Sequence, residues 1–109
     1  MFDINIAIGR VGKDPELRRT KSGAPVVHFR LATNERVSDG SGETRTETEW
    51  HNIVIWGKLA ETAIEYVKKG RLMVVVGNKK TESYEVNGAK RESTYIKAWK
   101  YRMLDHDMK

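Results

Sequence analysis

The chemistry available to this chain is concentrated in flat rings and cations. Trp50 and Trp56 stand six residues apart in the alternating stretch from Arg45 to Trp56. Six is an even interval, so in a strand both rings project from one face, separated by ~20 Å at ~3.3 Å per residue. One base cannot serve both. Two amphipathic rings so spaced could stack on different nucleotides of one strand, each stack being worth roughly 1–3 kcal/mol and tolerant of sequence because every base has a π-face. The opposite parity carries Ile53 and Ile55, the expected core face. The competing reading makes both tryptophans ordinary core residues, and it must then bury both faces of the strand.

Basic side chains supply the other half of such a surface. Arg10, Lys13, Arg18, Arg30, Arg36, Lys58, Lys68, Lys69, Arg71, Lys79 and Lys80 are candidates to neutralise phosphates and release counterions, with most weight on Arg18, Lys58, Lys69 and Lys80. Taken singly, any of them reads as a solvated surface cation. The balance of 20 Lys plus Arg against 15 Asp plus Glu gives a net charge of +5, which favours polyanionic partners. At 109 residues the chain is one domain, with no room for a second core.

Other chemistries find little support. Glu47 and Glu49 read as an exposed strand edge, and no nucleophile, base and orienter stand together, so an enzyme is not expected. Asp105-His106-Asp107 offers metal-ligating residue types, but at a chain end without a partner motif it reads as a solvated tail; neither a metal nor a cofactor is expected. Cysteine is absent, which removes disulfides and thiol chemistry. No apolar run approaches the ~20 residues of a membrane helix, and Met1-Phe2-Asp3 opens no signal pattern, so a cytoplasmic protein without a membrane partner is expected.

The elements that must position these residues are mostly strands. Phe2, Ile4, Ile6 and Ile8 recur at period two, predicting a first strand with those side chains on a core. A turn at Lys13-Asp14-Pro15-Glu16 and a Gly/Pro stop at Thr20–Pro25 bracket a short segment with Arg18 and Arg19. Val27, Phe29 and Leu31 alternate in a second strand, and a loop at Ser38–Glu43 leads to a third from about Arg45 to Trp56. Helical period appears once, in Lys58–Gly70, where Leu59, Ala60, Ala63, Ile64 and Val67 share a stripe and Lys68 and Lys69 suit the C-terminal dipole. The continuous apolar run Leu72–Val76 predicts a strand buried on both sides, and Asn87-Gly88 a two-residue hairpin to a last strand from about Arg91 to Tyr101. Five strands with a helix between the third and fourth fit a mainly-β, five-stranded OB-type barrel spanning residues 1–104, followed by a short extension at 105–109. A small antiparallel α+β sandwich would give the same string.

The run Thr48-Glu49-Trp50-His51-Asn52-Ile53-Val54-Ile55-Trp56-Gly57-Lys58-Leu59-Ala60-Glu61, followed by Glu65-Tyr66-Val67-Lys68-Lys69-Gly70, closely resembles the bacterial single-stranded DNA-binding protein family. The resemblance extends upstream to Gly9–Arg18 and Phe29–Asn34. It implies an OB-fold, usually a homotetramer, that wraps single-stranded DNA without catalysis in replication, recombination and repair. It further implies base stacking on Tyr84, just after Lys79-Lys80, and a subunit contact for His51, which on residue type alone could equally be a packing histidine. Val37 stands where the family carries another stacking aromatic, and Glu82 and Ser83 where it often carries basic residues. Trp99, late in the last strand, is expected to serve packing. Family members often continue into an acidic tip that recruits partner enzymes; this sequence stops at Lys109, so recruitment by that route is not expected of it. The alternative function is a primosomal-type accessory OB-fold acting mainly through protein contacts.

Overall fold

The computed structural model describes residues 3–105. The elements run β1 (Asn5–Val11), β2 (Glu16–Arg19), β3 (Pro25–Ser38), β4 (Thr44–Trp56), α1 (Lys58–Tyr66), β5 (Leu72–Val86) and β6 (Ala89–Met103). The sheet order is β1-β5-β6-β4-β3-β2, and β1 returns to β3 with Arg10 opposite Ala32 and Val11 opposite Leu31. That return closes β1, β3, β4, β5 and β6 into the five-stranded barrel that the element order predicted. The seam between β4 and β6 is parallel, Ile53–Ile55 against Ile96–Ala98. α1 lies between the third and fourth barrel strands and sends Ala60, Ala63 and, just past its end, Val67 into the core.

One core fills the barrel. Val27, Phe29 and Leu31 from β3, Ile53 and Ile55 from β4, and Met73 and Val75 from β5 are all buried. Each side chain of this size contributes ~1.5–3 kcal/mol on full burial, so the odd-numbered parity of β3, β4 and β5 fixes which face of each strand looks inward. Asn87 (φ 52°) and Gly88 (φ 81°) make the tight turn expected of Asn-Gly, with Val86 opposite Ala89.

Several expectations are corrected. The segment carrying Arg18 and Arg19 is a strand, β2, hydrogen-bonded to the start of β3 with Arg19 opposite Pro25. Pro25 is the first residue of β3, where a missing N–H costs no ladder bond. In β1 the inward parity is the reverse of that predicted: Ala7, Gly9 and Val11 face the core, while Ile4, Ile6 and Ile8 are 50%, 65% and 55% exposed. The close crossing of β1 over β3 contributes, since a Cβ on Gly9 would lie 2.1 Å from the Ala32 carbonyl oxygen and no side chain fits at that point of the wall. Phe2, placed in the same strand by its period, lies outside the described residues. The run Leu72–Val76 is not buried on both sides; Met73 and Val75 are buried and the alternate residues half-buried, as a closed barrel has one interior. α1 ends at Tyr66, so Lys68 and Lys69 lie beyond the last turn they were expected to stabilise.

The end of the described chain is tied to the barrel. Arg71 Nε donates to Asp105 Oδ1 at 2.9 Å and the Leu72 amide donates to Oδ2 at 3.1 Å. The Arg71 hydrogen bond first, and the Leu72 amide second, hold the Asp105 carboxyl below its ordinary pKa. Asp105 is therefore no loose tail; His106 and Asp107 lie outside the described residues.

Two hairpins run past the barrel as arms. From Asn34 to Trp50 on β3–β4, and from Lys79 to Glu92 on β5–β6, no side chain is buried. The radius of gyration is 16.0 Å, against about 13 Å for a compact chain of this length.

Candidate nucleic-acid interface

The outer face of β4 is built by the parity that buries Ile53 and Ile55. Trp50 and Trp56 point outward, 46% and 43% exposed, which removes the reading of both as core residues. Each ring is held from one side. The Arg30 guanidinium lies 4.8 Å from the Trp50 ring centroid, and the Lys97 ammonium 5.7 Å from that of Trp56. Such contacts are worth ~0.5–1 kcal/mol at exposed sites and set ring orientation more than stability. Trp50 also lies against bare backbone, because a Cβ on Gly12 would meet its ring at 2.5 Å.

The ground between the two rings is mapped by the register. Trp50 is opposite Ala32, Asn52 opposite Arg30, Val54 opposite His28 and Lys97, and Trp56 opposite Val26. Val26 is in turn opposite Arg18, so Arg18 and Trp56 share one face two strands apart, about 10 Å. A groove of about 350 Å³ lies beside Trp50, lined by Gly12, Lys13, Asp14, Glu16, His28, Phe29 and Arg30. A second, of about 420 Å³, is lined by Trp56, Leu59, Asn78, Lys80, Lys97, Ala98 and Trp99.

The predicted basic residues distribute around these grooves unevenly. Lys80 lines the Trp56 groove, and Lys58 is exposed on the first turn of α1, two residues past Trp56. Arg18 is paired with Glu16 at 3.2 Å, both side chains largely exposed, a contact worth at most ~1 kcal/mol and readily exchanged for a phosphate. Lys69 sits at the other end: its amide donates to Asp14 Oδ1 at 2.8 Å, which sets it beside the Lys13–Asp14 rim of the Trp50 groove. Tyr84 is 47% exposed on the β5–β6 arm, opposite Arg91 and four residues beyond Lys80 on the same face. Val37 is half-buried on the β3–β4 arm opposite Arg45 and offers no ring. Glu82 on the other arm accepts from the Tyr95 hydroxyl at 3.2 Å.

His51 faces elsewhere. Its Nε2 is 3.0 Å from Thr33 Oγ1, in a groove of about 480 Å³ shared with Asn5, Ile6, Ile8 and Tyr95.

Two residues beyond those expected line the Trp56 groove. Trp99, expected to pack, is 50% exposed and lines the Trp56 groove, and Lys97 is its basic neighbour there. A break in the alternation of β6 signals this: Ile96 and Ala98 face in on one phase, Tyr101 and Met103 on the other. Among the described residues no cluster of His, Cys, Asp and Glu could hold a metal, and no helix is long and apolar enough to cross a membrane.

The model of the single-strand binding protein family matches residues 3–104, which takes in every strand of the barrel. The chain belongs to the single-strand binding protein family. It is 46% identical over 99 residues to the single-stranded DNA-binding protein 1 of Chlorobaculum tepidum, covering 89% of this chain and 61% of that protein. It is 41% identical over 100 residues to the single-stranded DNA-binding protein of Neisseria meningitidis, covering 91% and 58%. The chain thus spans about three fifths of the length of these relatives of the family. Among solved structures, the Plasmodium falciparum SSB in complex with ssDNA superposes with a TM-score of 0.89 at 30% identity, over 96% of each chain.

Proposed function

We propose that this chain binds single-stranded DNA without catalysis and with little regard to sequence, in the cytoplasm, in the service of replication, recombination and repair. Bases stack on Trp50, Trp56 and Tyr84, and Arg18, Lys58, Lys69 and Lys80 neutralise phosphates along the way. The observation that carries the reading is the outward parity of two half-exposed tryptophans on β4, each beside a cation, with the core isoleucines on the opposite face. The family match and the 30% identical structure with DNA support it.

The protein acts as a homo-oligomer, a tetramer by the family resemblance. Ile4, Ile6 and Ile8 form an exposed apolar stripe, and among the described residues Asn5–Gly9 pair with β5 only, leaving the other strand edge open to a second copy. The groove holding His51 adjoins this stripe, which supports a subunit contact for that residue.

The test is a titration of the protein with oligonucleotides of increasing length, reading tryptophan emission and mass in solution at each step. DNA should quench emission, and the quench should shrink in Trp50→Phe and in Trp56→Phe. Normal affinity in folded Trp50→Ala and Trp56→Ala variants would show that the binding face is elsewhere. The accessory-protein reading is favoured by one observation, the missing ring at Val37; weak DNA binding with undiminished self-association is its signature.

A further inference from the structure

β6 contains one residue more than its partner at a single point. Gly77 is opposite Ala98 but Val76 is opposite Lys100, so Trp99 has no partner across the ladder. Such a bulge bends the strand and re-aims the side chain it carries. Here it also slips the phase of β6, turning Trp99 and Lys100 outward together while Tyr101 and Met103 pack on the core. Gly77 permits the bulge, because a Cβ at that position would lie 2.1 Å from the Lys97 carbonyl oxygen. A ring meant only for packing gains nothing from this arrangement, which leaves it half exposed to water.

The bulge brings Trp99 to a particular neighbour. The parallel pairing of β4 with β6 ends at Ile55 opposite Ala98, and Trp56 and Trp99 are the next residues along their two strands. Both rings line one groove of about 420 Å³, with Lys80, Lys97 and Asn78 also among its lining residues. That volume lies within the ~300–1,000 Å³ usual for small-ligand sites. Two indole faces ask for a flat, π-rich occupant; two lysines ask for an anion joined to it; and the side-chain oxygen of Asn78, whose Nδ2 donates to the Asp3 carbonyl at 2.6 Å, can accept from a base edge. A nucleotide within a single strand has all three.

We infer that Trp99 is a further base-stacking residue, receiving the nucleotide next to the one on Trp56, with Lys97 as its phosphate partner. This deepens the proposed function and rests on it. The rings of Trp56 and Trp99 form one aromatic floor across two strands, so that neighbouring bases are held by neighbouring strands of the barrel.

The experiment uses the full chain and oligothymidylates as the probe. Trp99→Ala should weaken binding at least fivefold, the low end of the roughly 5- to 150-fold that one stack supplies, at unchanged mass in solution. The double variant Trp50→Phe with Trp56→Phe leaves Trp99 as its single indole, since the chain has 3 tryptophans. Its emission should still be quenched by the oligonucleotide, a readout that keeps Trp99 itself and a ring at position 56. Unquenched emission in that double variant, once it is saturated with oligonucleotide, overturns the inference. So does a folded Trp99→Ala protein that binds as the wild type does while Trp50→Ala does not; the proposed function then stands and only this residue's role falls. A change in oligomeric mass on Trp99→Ala makes the residue a subunit contact and overturns it too. A wild-type chain that fails to bind oligothymidylate refutes the proposed function itself, and the inference with it.

Discussion

Adding one methyl group at Gly12 should separate binding from folding. The Cβ of Gly12→Ala would sit 2.5 Å from one atom of the Trp50 ring and 3.0 Å from the next. Ordinary carbon contacts lie at about 3.5–4.0 Å, so the ring must retreat by about 1 Å. It can do so cheaply, because the obstacle is the far end of a half-exposed side chain and not backbone. Gly12 is not among the residues in the left-handed region, so alanine meets no backbone strain there. Reduced freedom of the unfolded chain adds ~0.4–1 kcal/mol of stability, and loss of the Arg30–Trp50 contact removes ~0.5–1 kcal/mol. The two offset, and Tm should barely move. The displaced ring, in contrast, forfeits about half of a stack worth ~1–3 kcal/mol, weakening DNA binding by about two- to tenfold. Gly9→Ala is the control with the opposite outcome. Its Cβ would lie 2.1 Å from the Ala32 carbonyl oxygen, backbone that cannot retreat without opening the β1–β3 closure. Overpacking of that kind costs ~1–3 kcal/mol and should lower Tm by at least about 5 °C. Thermal melts and oligothymidylate titrations of both variants decide the matter. Wild-type affinity in Gly12→Ala, or a loss of Tm matching that of Gly9→Ala, refutes the reasoning.

Salt should weaken binding steeply, since each phosphate neutralised on a single strand adds about −0.7 to the slope of log K against log salt; Lys58→Ala or Lys80→Ala should flatten that slope, and a flat wild-type plot would contradict the phosphate contacts. Ile6→Asp should shift sedimentation toward the monomer, because it puts a charge on the exposed stripe of β1, and exchange of His51 for a bulkier residue should do so more mildly. Val37→Trp should add both quench and affinity in the same titration if the strand passes the β3–β4 arm. The lowered pKa of Asp105 contributes stability that is present above the ordinary carboxylate range and is lost as pH falls through the folded value. Melting curves of the wild type and Asp105→Asn should therefore differ at neutral pH and converge in acid.

How much could be read from sequence depended on whether parity and burial agree. In β3 and β4 the buried residues Val27, Phe29, Leu31, Ile53 and Ile55 keep one parity, so the strands, the barrel and the outward set of Trp50 and Trp56 were legible. In β1 the large residues are on the outward parity, and period two by itself does not say which side is the core. β2 reads Glu-Leu-Arg-Arg, too short and too charged to announce a strand; it forms because the Thr20–Ala24 turn folds it onto β3. The exposure of Trp99 was not legible because a bulge shifts the phase midway along β6, and only the later Tyr101 and Met103 betray the slip. Asp105 was read as tail because its partners, Arg71 and Leu72, are more than thirty residues away in sequence.

The two arms give this small protein two tiers of stability. Their ladder hydrogen bonds are shielded by no buried side chain, whereas those of the barrel lie over a shared core. Amides of Glu35–Thr48 and Thr81–Glu92 should therefore exchange with solvent deuterium through local opening, while those of Phe29, Ile53 and Val75 wait for global unfolding. The aromatic positions divide along the same line. Trp56 and Trp99 stand on barrel strands, Trp50 where the β3–β4 arm meets the barrel, and Tyr84 out on the β5–β6 arm. On the proposed binding face, a short oligonucleotide confined to the barrel should meet rings already in position. A longer one must also quiet an arm, so its added affinity per nucleotide should carry a larger entropic penalty, visible as a step in calorimetric ΔS with oligonucleotide length.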